Sequence, residues 1–235
     1  MIFHGIGVTD IAGRGRVAWG PKSEDYDAVG FLTFFLLPLI PFRFAHVSTG
    51  RPAGRDGETT QYHPIRFSVG LLIRAYLMRW TWALILLGAL LWWPSFQGLR
   101  PGRFRMAVIG TILIFLFFAI RWLVDFFDRR NRRIRWVLGR HYFGSSDPVD
   151  WPASRFAGGS NPESIYGTAT YAEAVPDLLA AGDYSRAMWA ARMTTAVEDR
   201  RTGEHLTNEI LRDAELQLAI VQVEANPDCW DQVMV

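Results

Sequence analysis

Cysteine is almost missing from this chain: Cys229 stands alone in 235 residues, which excludes an intrachain disulfide framework and any thiolate metal cluster built within one chain. Lysine is equally scarce, with Lys22 alone among 25 basic residues, a bias that reflects genomic base composition rather than selected chemistry. A basic start followed by an apolar run is also lacking. The first thirty residues carry Asp10, Glu24, Asp25 and Asp27 instead, so no cleavable signal peptide is expected, and any membrane insertion has to use internal segments.

Charge itself is missing from two long stretches. Half the residues are hydrophobic and 14% aromatic, yet mean hydropathy is only +0.07, so a strongly apolar part is averaged against a strongly polar one. Residues 80–96 read WTWALILLGALLWWPSF without a charge, and residues 106–124 read MAVIGTILIFLFFAIRWLV with Arg121 as the only one. About twenty residues cross a ~30 Å hydrocarbon core, so spans over residues 77–96 and 106–124 are expected. Trp80, Trp82, Trp92 and Trp93 mark the ends of the first, where indoles favour the membrane interface. The connection PSFQGLRPGRFR is short and rich in Pro and Gly, which predicts antiparallel neighbours, with Gly88, Ala89, Gly110 and Thr111 small enough for close approach. Arg121 and Asp125 lie at i and i+4 near the boundary and are expected to form an intramembrane ion pair, with an ion relay as the functional alternative.

Residues 1–140 hold 19 basic and 8 acidic side chains (net +11), and residues 141–235 hold 6 and 15 (net −9). The basic excess peaks after the second span in RRNRRIRWVLGR. Arg129, Arg130, Arg132, Arg133 and Arg135 are therefore assigned to anionic lipid headgroups, at about 1 kcal/mol each, and to cytoplasmic retention of this flank. Nucleic acid is not an expected partner, because aromatic interleaving around the arginines is thin.

Residues 31–42, FLTFFLLPLIPF, are as apolar as the spans but too short to cross, and Pro38 and Pro41 interrupt them. Ser23, Glu24 and Asp25 suit a helix start, which predicts a short interfacial helix over residues 26–37. Downstream, RFAHVS and QYHPIRFS alternate in the manner of strands around RPAGRDGE, a hairpin centred between Gly54 and Arg55 that pairs His46 with His63. These two imidazoles are weak candidates for a metal site, without an evident third ligand, and Pro64 suggests an edge strand. The glycines of GIGVTDIAGRGRVAWG complete neither a dinucleotide nor a Walker loop and read as turns in a small β element.

The run DAVGFLTFFLLPLIPFRFAHV resembles a segment of the form W-F-T-x-F-F-x-P-L-x-P-L-R in uncharacterised bacterial membrane proteins, and LGRHYFGSSDPVDW resembles a stretch that follows the membrane part of some of them. The two pieces cover about a quarter of the chain, and Gly30 replaces the aromatic of that pattern. The resemblance implies a bacterial inner-membrane protein and transfers no catalytic residue.

From Ser145 to Gly167 the composition is that of a linker, pinned by Trp151 and Phe156. A short helix is expected over residues 176–181, a second from the cap Asp183 to Arg200, and a third from the cap Thr207, with His205 in the connection between them. LLAAGDYSRAMWAA resembles the GxYxxA core of a tetratricopeptide helix, but a single match favours a lone helical hairpin. The acids Glu198, Asp199, Glu204, Glu209, Asp213 and Glu215 have no nucleophile or His arranged beside them, and a solvated helix face is expected.

The expected fold is thus mainly α: a two-helix transmembrane hairpin with a small α+β interfacial region before it and a helical domain after it. Its divisions are residues 1–67, 68–128, a basic juxtamembrane segment and linker at 129–166, and an acidic helical domain at 167–235. The expected function is a membrane-anchored adaptor or accessory subunit at the cytoplasmic face of the inner membrane, without catalysis or cofactor. It would work with a protein partner or further copies of itself. An oligomeric transport component and a metal-dependent membrane enzyme are the other two classes.

Overall fold

The computed structural model describes residues 2–3, 6–20, 23–34, 37–50, 59–93, 101–138, 147–156 and 161–226. The loop 51–58, most of the connection between the two apolar segments, and residues 139–146 of the second resembling stretch lie outside them. Five antiparallel strands come first, in sheet order β1-β2-β3-β4-β5: β1 Ile2–Phe3, β2 Ile6–Gly20, β3 Ser23–Phe34, β4 Leu37–Gly50 and β5 Thr59–Pro64. Helices α1 Val69–Trp92 and α2 Pro101–Leu138 follow, then α3 Pro162–Tyr166, α4 Tyr171–Ala180, α5 Tyr184–Val197, α6 Arg200–Ile210 and α7 Ala214–Ala225.

The interfacial helix expected over residues 26–37 is a strand. Its residues include Val29, Phe31 and Thr33, which suit a pleated surface, and β3 has a partner strand on each side. The polar residues read as a helix start bond across strands instead: Glu24 pairs with Arg16 at 2.7 Å, and its backbone N–H and carbonyl each bond the Thr49 hydroxyl at 3.2 Å. The glycine-rich opening forms the long strand β2 rather than a set of turns. β5 pairs with Ala45–Gly50 and stops short of Pro38 and Pro41, so these prolines occupy a part of β4 that β5 does not cover.

The chain divides into two compact units, and β2, β3, β4 and α2 contribute residues to both. The first comprises Met1–Arg14, Ala28–Arg43 and Ser68–Arg129; the second comprises Gly15–Asp27, Phe44–Phe67 and Arg130–Val235.

In the first unit, the Ser68 hydroxyl caps α1 by accepting from Leu71 N–H at 3.3 Å. Helices α1 and α2 meet at Gly88 and Gly110. A Cβ on Gly110 would lie 2.6 Å from the Gly88 carbonyl oxygen, so only glycine permits this approach. Lower down, Arg74 pairs with Asp128 at 2.9 Å and donates to the Val124 carbonyl, and Trp82 packs on Phe117 with centroids 5.4 Å apart. Gly30 serves another close approach: the Arg43 side chain passes over it from β4 to reach Asp10 on β2, Nε to Oδ1 at 3.0 Å, and a Cβ on Gly30 would meet Arg43 Cγ at 2.5 Å.

In the second unit, the last residues of α2 (Ile134, Val137 and Leu138) join Trp151, Tyr171, Met188, Met193, Ile210, Leu216 and Ile220 in one apolar core. The basic segment beyond residue 128 continues α2 as far as Leu138. α5 lies at the centre, with Asp183 as its cap as expected. α4 begins at Tyr171, five residues early, and carries Pro176 inside; the Thr170 hydroxyl caps it by accepting from Glu173 N–H, and the Glu173 carboxylate reaches back to accept from Ala169 N–H just ahead of the cap. Residues 200–210, expected to hold a connection, form α6: Asp199 caps it, and Thr207 is buried within it, bonding the Gly203 carbonyl instead of capping a helix. The next cap is Asp213, on α7. A lone hairpin is thus too small a description of this domain.

Candidate functional site

Alternation along β3 places Asp25 and Asp27 on one face, and alternation along β4 does the same for His46 and Ser48. All four are buried, Asp27 to 1% exposure and His46 to 0%. Uncompensated, a carboxylate there would cost several kcal/mol. Compensation comes from Arg135 on α2, 8% exposed, whose Nη2 donates to Asp27 Oδ1 and whose Nη1 lies 3.0 Å from His46 Nδ1. Asp27 Oδ1 is 3.1 Å from the same Nδ1. The two imidazole contacts exclude each other: a protonated Nδ1 donates to Asp27, and an unprotonated one accepts from Arg135.

The strand register sets His46 directly opposite His63, as the sequence symmetry predicts, with ring centroids 6.4 Å apart. Among the described residues, His46 Nε2, Ser48 Oγ and His63 Nε2 are buried without a hydrogen-bond partner. His63 is held below its ordinary pKa by desolvation first, and then by the positive charges of His46 and Arg155, against the pull of Asp25. Neutral imidazoles are what a transition metal requires, yet among the described residues no group of three or more His, Cys, Asp or Glu is arranged to hold one. Arg135 beside His46 also opposes a cation. The cluster is a paired buried charge network with polar atoms left to be satisfied, of the kind water fills.

The remaining sites expected from sequence are dispersed. Arg121 lies over the rings of Trp82 and Phe117, 5.9 Å from each centroid, an aromatic contact that the sequence alone does not show. Of the five arginines assigned to headgroups, Arg130 pairs with Glu204 at 2.5 Å and Arg135 is buried on Asp27. Arg129 is exposed, while Arg132 and Arg133 are half-buried.

Arg192 was not foreseen. It is buried in the helical domain and pairs with Asp147 at 2.7 Å and Glu204 at 3.2 Å; desolvation pulls its pKa down, but the charge and hydrogen bonds of Asp147, joined by the charges of Glu204 and Asp150, together hold it above its ordinary value. Burial pushes Glu204 up, but the bond from Arg130 and the charge of Arg192 hold its carboxyl below the usual range. Three other acids hold helix ends: Asp199 and Asp213 cap α6 and α7, and Glu198 accepts from Tyr171 N–H at 2.6 Å at the start of α4. His205 lies on α6 in an open depression with Arg201, Glu204, Asn208 and Glu209 of the same helix and Arg212 just beyond its end.

The signals that locate the Asp27 and Arg192 networks are a carboxylate in alternation with core positions, and a lone arginine amid alanines and methionines; each requires that the host element first be recognised. The chain matches no protein-family model, no curated protein and no solved structure.

Proposed function

We propose that the chain is a membrane-anchored adaptor or accessory subunit, in which α1 and α2 cross the cytoplasmic membrane and the helical domain recruits a partner on the cytoplasmic side. One observation carries the anchor: both helices are long and apolar enough to span a bilayer, and most side chains of their most apolar stretches stay outside the protein core. Of the most apolar 18-residue stretch of each, 17% and 11% is buried, whereas the core helix of a soluble protein would be mostly covered. Leu86, Leu90, Ile112, Phe115, Phe118 and Trp122 are each more than half exposed. Soluble monomers rarely expose apolar patches beyond a few hundred Å².

The arginine excess of residues 1–140 supports the orientation, and the apolar core that α4 to α7 build with Trp151 and the end of α2, in the acidic part of the sequence, supports display of a docking module. A conduit finds less support. The hydroxyls of Thr81 and Thr111, polar groups within the spans, bond the carbonyls of Met78 and Ala107 on their own helices.

The anchor is tested by whether the full chain stays membrane-bound through an alkaline wash and requires detergent for extraction. Release in plain buffer would refute it. Orientation is read from Cys229, which an impermeant maleimide should label only after spheroplasts are lysed. Display predicts one reproducible crosslinked partner in native membranes, lost when residues 161–226 are deleted; an unchanged crosslink pattern in that deletion would refute it.

A further inference from the structure

The first unit contains a second uncharged surface. From Gly30 to Phe42 the chain reads GFLTFFLLPLIPF, bounded by Asp27 on one side and Arg43 on the other. Among the side chains described there, Leu32 is 38% exposed, Leu39 51%, Ile40 59% and Phe42 52%. Neighbouring strand residues point to opposite faces, so the exposure of both Leu39 and Ile40 means that this end of the hairpin presents apolar side chains on both sides. A hairpin standing in water puts polar residues on at least one face.

This surface is joined to α1. The Tyr76 hydroxyl donates to the Leu39 carbonyl at 2.8 Å, and the Phe31 ring meets the Tyr76 ring edge-on with centroids 4.9 Å apart. Tyr76 supplies a depth marker. It lies within a turn of Arg74, which is ion-paired with Asp128, and of Arg79, and the uncharged stretch of α1 begins at Trp80. That level suits the headgroups, and at 1.5 Å per residue Leu86 lies about 15 Å deeper, near the middle of the hydrocarbon. Pro38 and Pro41 lie where β5 does not cover β4. Being three residues apart they face opposite edges, so one of them removes an N–H from the uncovered edge, where lipid would leave it unsatisfied.

We propose that the β3–β4 hairpin is a third membrane contact, which inserts Leu39, Ile40 and Phe42 into the boundary between headgroups and acyl chains of the bilayer that α1 and α2 cross. The proposal rests on the anchor reading and extends it: the sheet wades in the membrane surface beside the helices, held at its depth by Tyr76. The polar Asp10–Arg43 bridge marks the level at which the strands leave the lipid.

The test uses the full chain with Cys229→Ser, reconstituted in vesicles of zwitterionic and anionic phospholipid. Single cysteines at Ile40, Phe42, Leu86 and Gln61 each carry an environment-sensitive fluorophore, and nitroxides are placed at the headgroup or deep on the acyl chain. Blue-shifted emission at Ile40 and Phe42, quenched more by the shallow nitroxide than the deep one, is expected, with the reverse order at Leu86 and no quenching at Gln61. Emission at both hairpin sites matching Gln61, while Leu86 is quenched, would overturn the hairpin proposal and leave the anchor intact. A blue shift without quenching would mean that protein covers the hairpin, and would overturn it too. Stronger deep than shallow quenching at Ile40 and Phe42 would refute the boundary depth. If Leu86 itself is unquenched, the anchor reading falls first.

Discussion

Helix α1 buries Leu71, Ala75, Thr81 and Gly88 and leaves Ile73, Trp80, Leu86 and Leu90 open, whereas α5 buries nine of its 14 residues, Met188, Met193 and even Arg192 among them. In α5 the large side chains face protein and the pairing of charges is completed inside. In α1, past Leu71 at its start, the buried residues are small and most large ones face outward. Water drives the first arrangement, because every apolar atom covered contributes to stability. Lipid, under the anchor proposed above, would permit the second, because acyl chains are as apolar as leucine and helices associate where small residues let their backbones approach. The two glycine contacts carry the same contrast. Gly110 brings α2 against Gly88, with outward-facing apolar side chains around it. Gly203 brings α6 against Thr195 inside a covered core, where a Cβ would lie 2.3 Å from the Thr195 nitrogen.

The strongest way to break this comparison is to remove a buried charge. Arg192→Ala strands Asp147 and should destabilise the helical domain by about 3–5 kcal/mol, whereas Arg192→Met with Asp147→Leu should recover much of that loss. Denaturant unfolding of the full chain in detergent, followed by Trp189 fluorescence, measures both. Equal stability of Arg192→Ala and the parent would mean that the network contributes nothing.

A sharper contrast uses two leucines of similar exposure, Leu86 at 64% and Leu218 at 67%. Leu86→Arg should cost about 2.5–3.5 kcal/mol in membrane insertion. Leu218→Arg on α7 should change stability by no more than about 0.5 kcal/mol. Glycosylation-tag insertion assays read the first and thermal unfolding the second. Identical tolerance at both sites would erase the distinction between a lipid-facing and a water-facing helix.

Overpacking comes next in size. Gly203→Ala should cost about 1–3 kcal/mol, seen as a lowered midpoint for the helical domain. Gly110→Leu should separate α1 from α2, seen as loss of crosslinking between cysteines placed at Ala89 and Thr111, with the helical domain's midpoint unchanged.

The smallest effect is a pH slope. Because His63 is held below 6.5, the unfolded chain binds a proton more readily than the folded one, so its contribution to stability is lost as pH falls below that value. Stability measured between neutral and mildly acid pH should decline less in His63→Gln than in the parent. Parallel declines would remove His63 from the account.

Legibility differs by element for reasons that particular residues make plain. The pairing of His46 with His63 follows from a short hairpin, where loop symmetry dictates register. The caps Asp183 and Ser68 bond within a turn of themselves, and Asp183 was readable for that reason. Residues 26–37 carry the polar start of a helix and an apolar body, but pairing with β2 and β4 on either side, which the run's own composition does not show, decides their state. α6 was missed because its run RRTGEHLTNEI has a glycine where a helix former was expected, and Gly203 shows its purpose only against Thr195. The roles of Arg130, Arg135 and Arg121 depended on partners 74, 108 and 39 positions away, Glu204, Asp27 and Trp82.

By itself the sequence determined where charge is missing, and with it the two long apolar helices, the split between basic and acidic halves, and the absence of a disulfide framework. Those properties are sums over neighbouring residues, and the free energy of placing them in water or lipid accumulates locally. Only the tertiary structure decided that the apolar segment before α1 is a hairpin bonded to Tyr76, that Arg135 leaves the basic segment to satisfy Asp27, and which glycines hold helices together. Each of these is a contact between residues far apart in the chain, whose energy exists only once the backbone has brought them within a few ångströms.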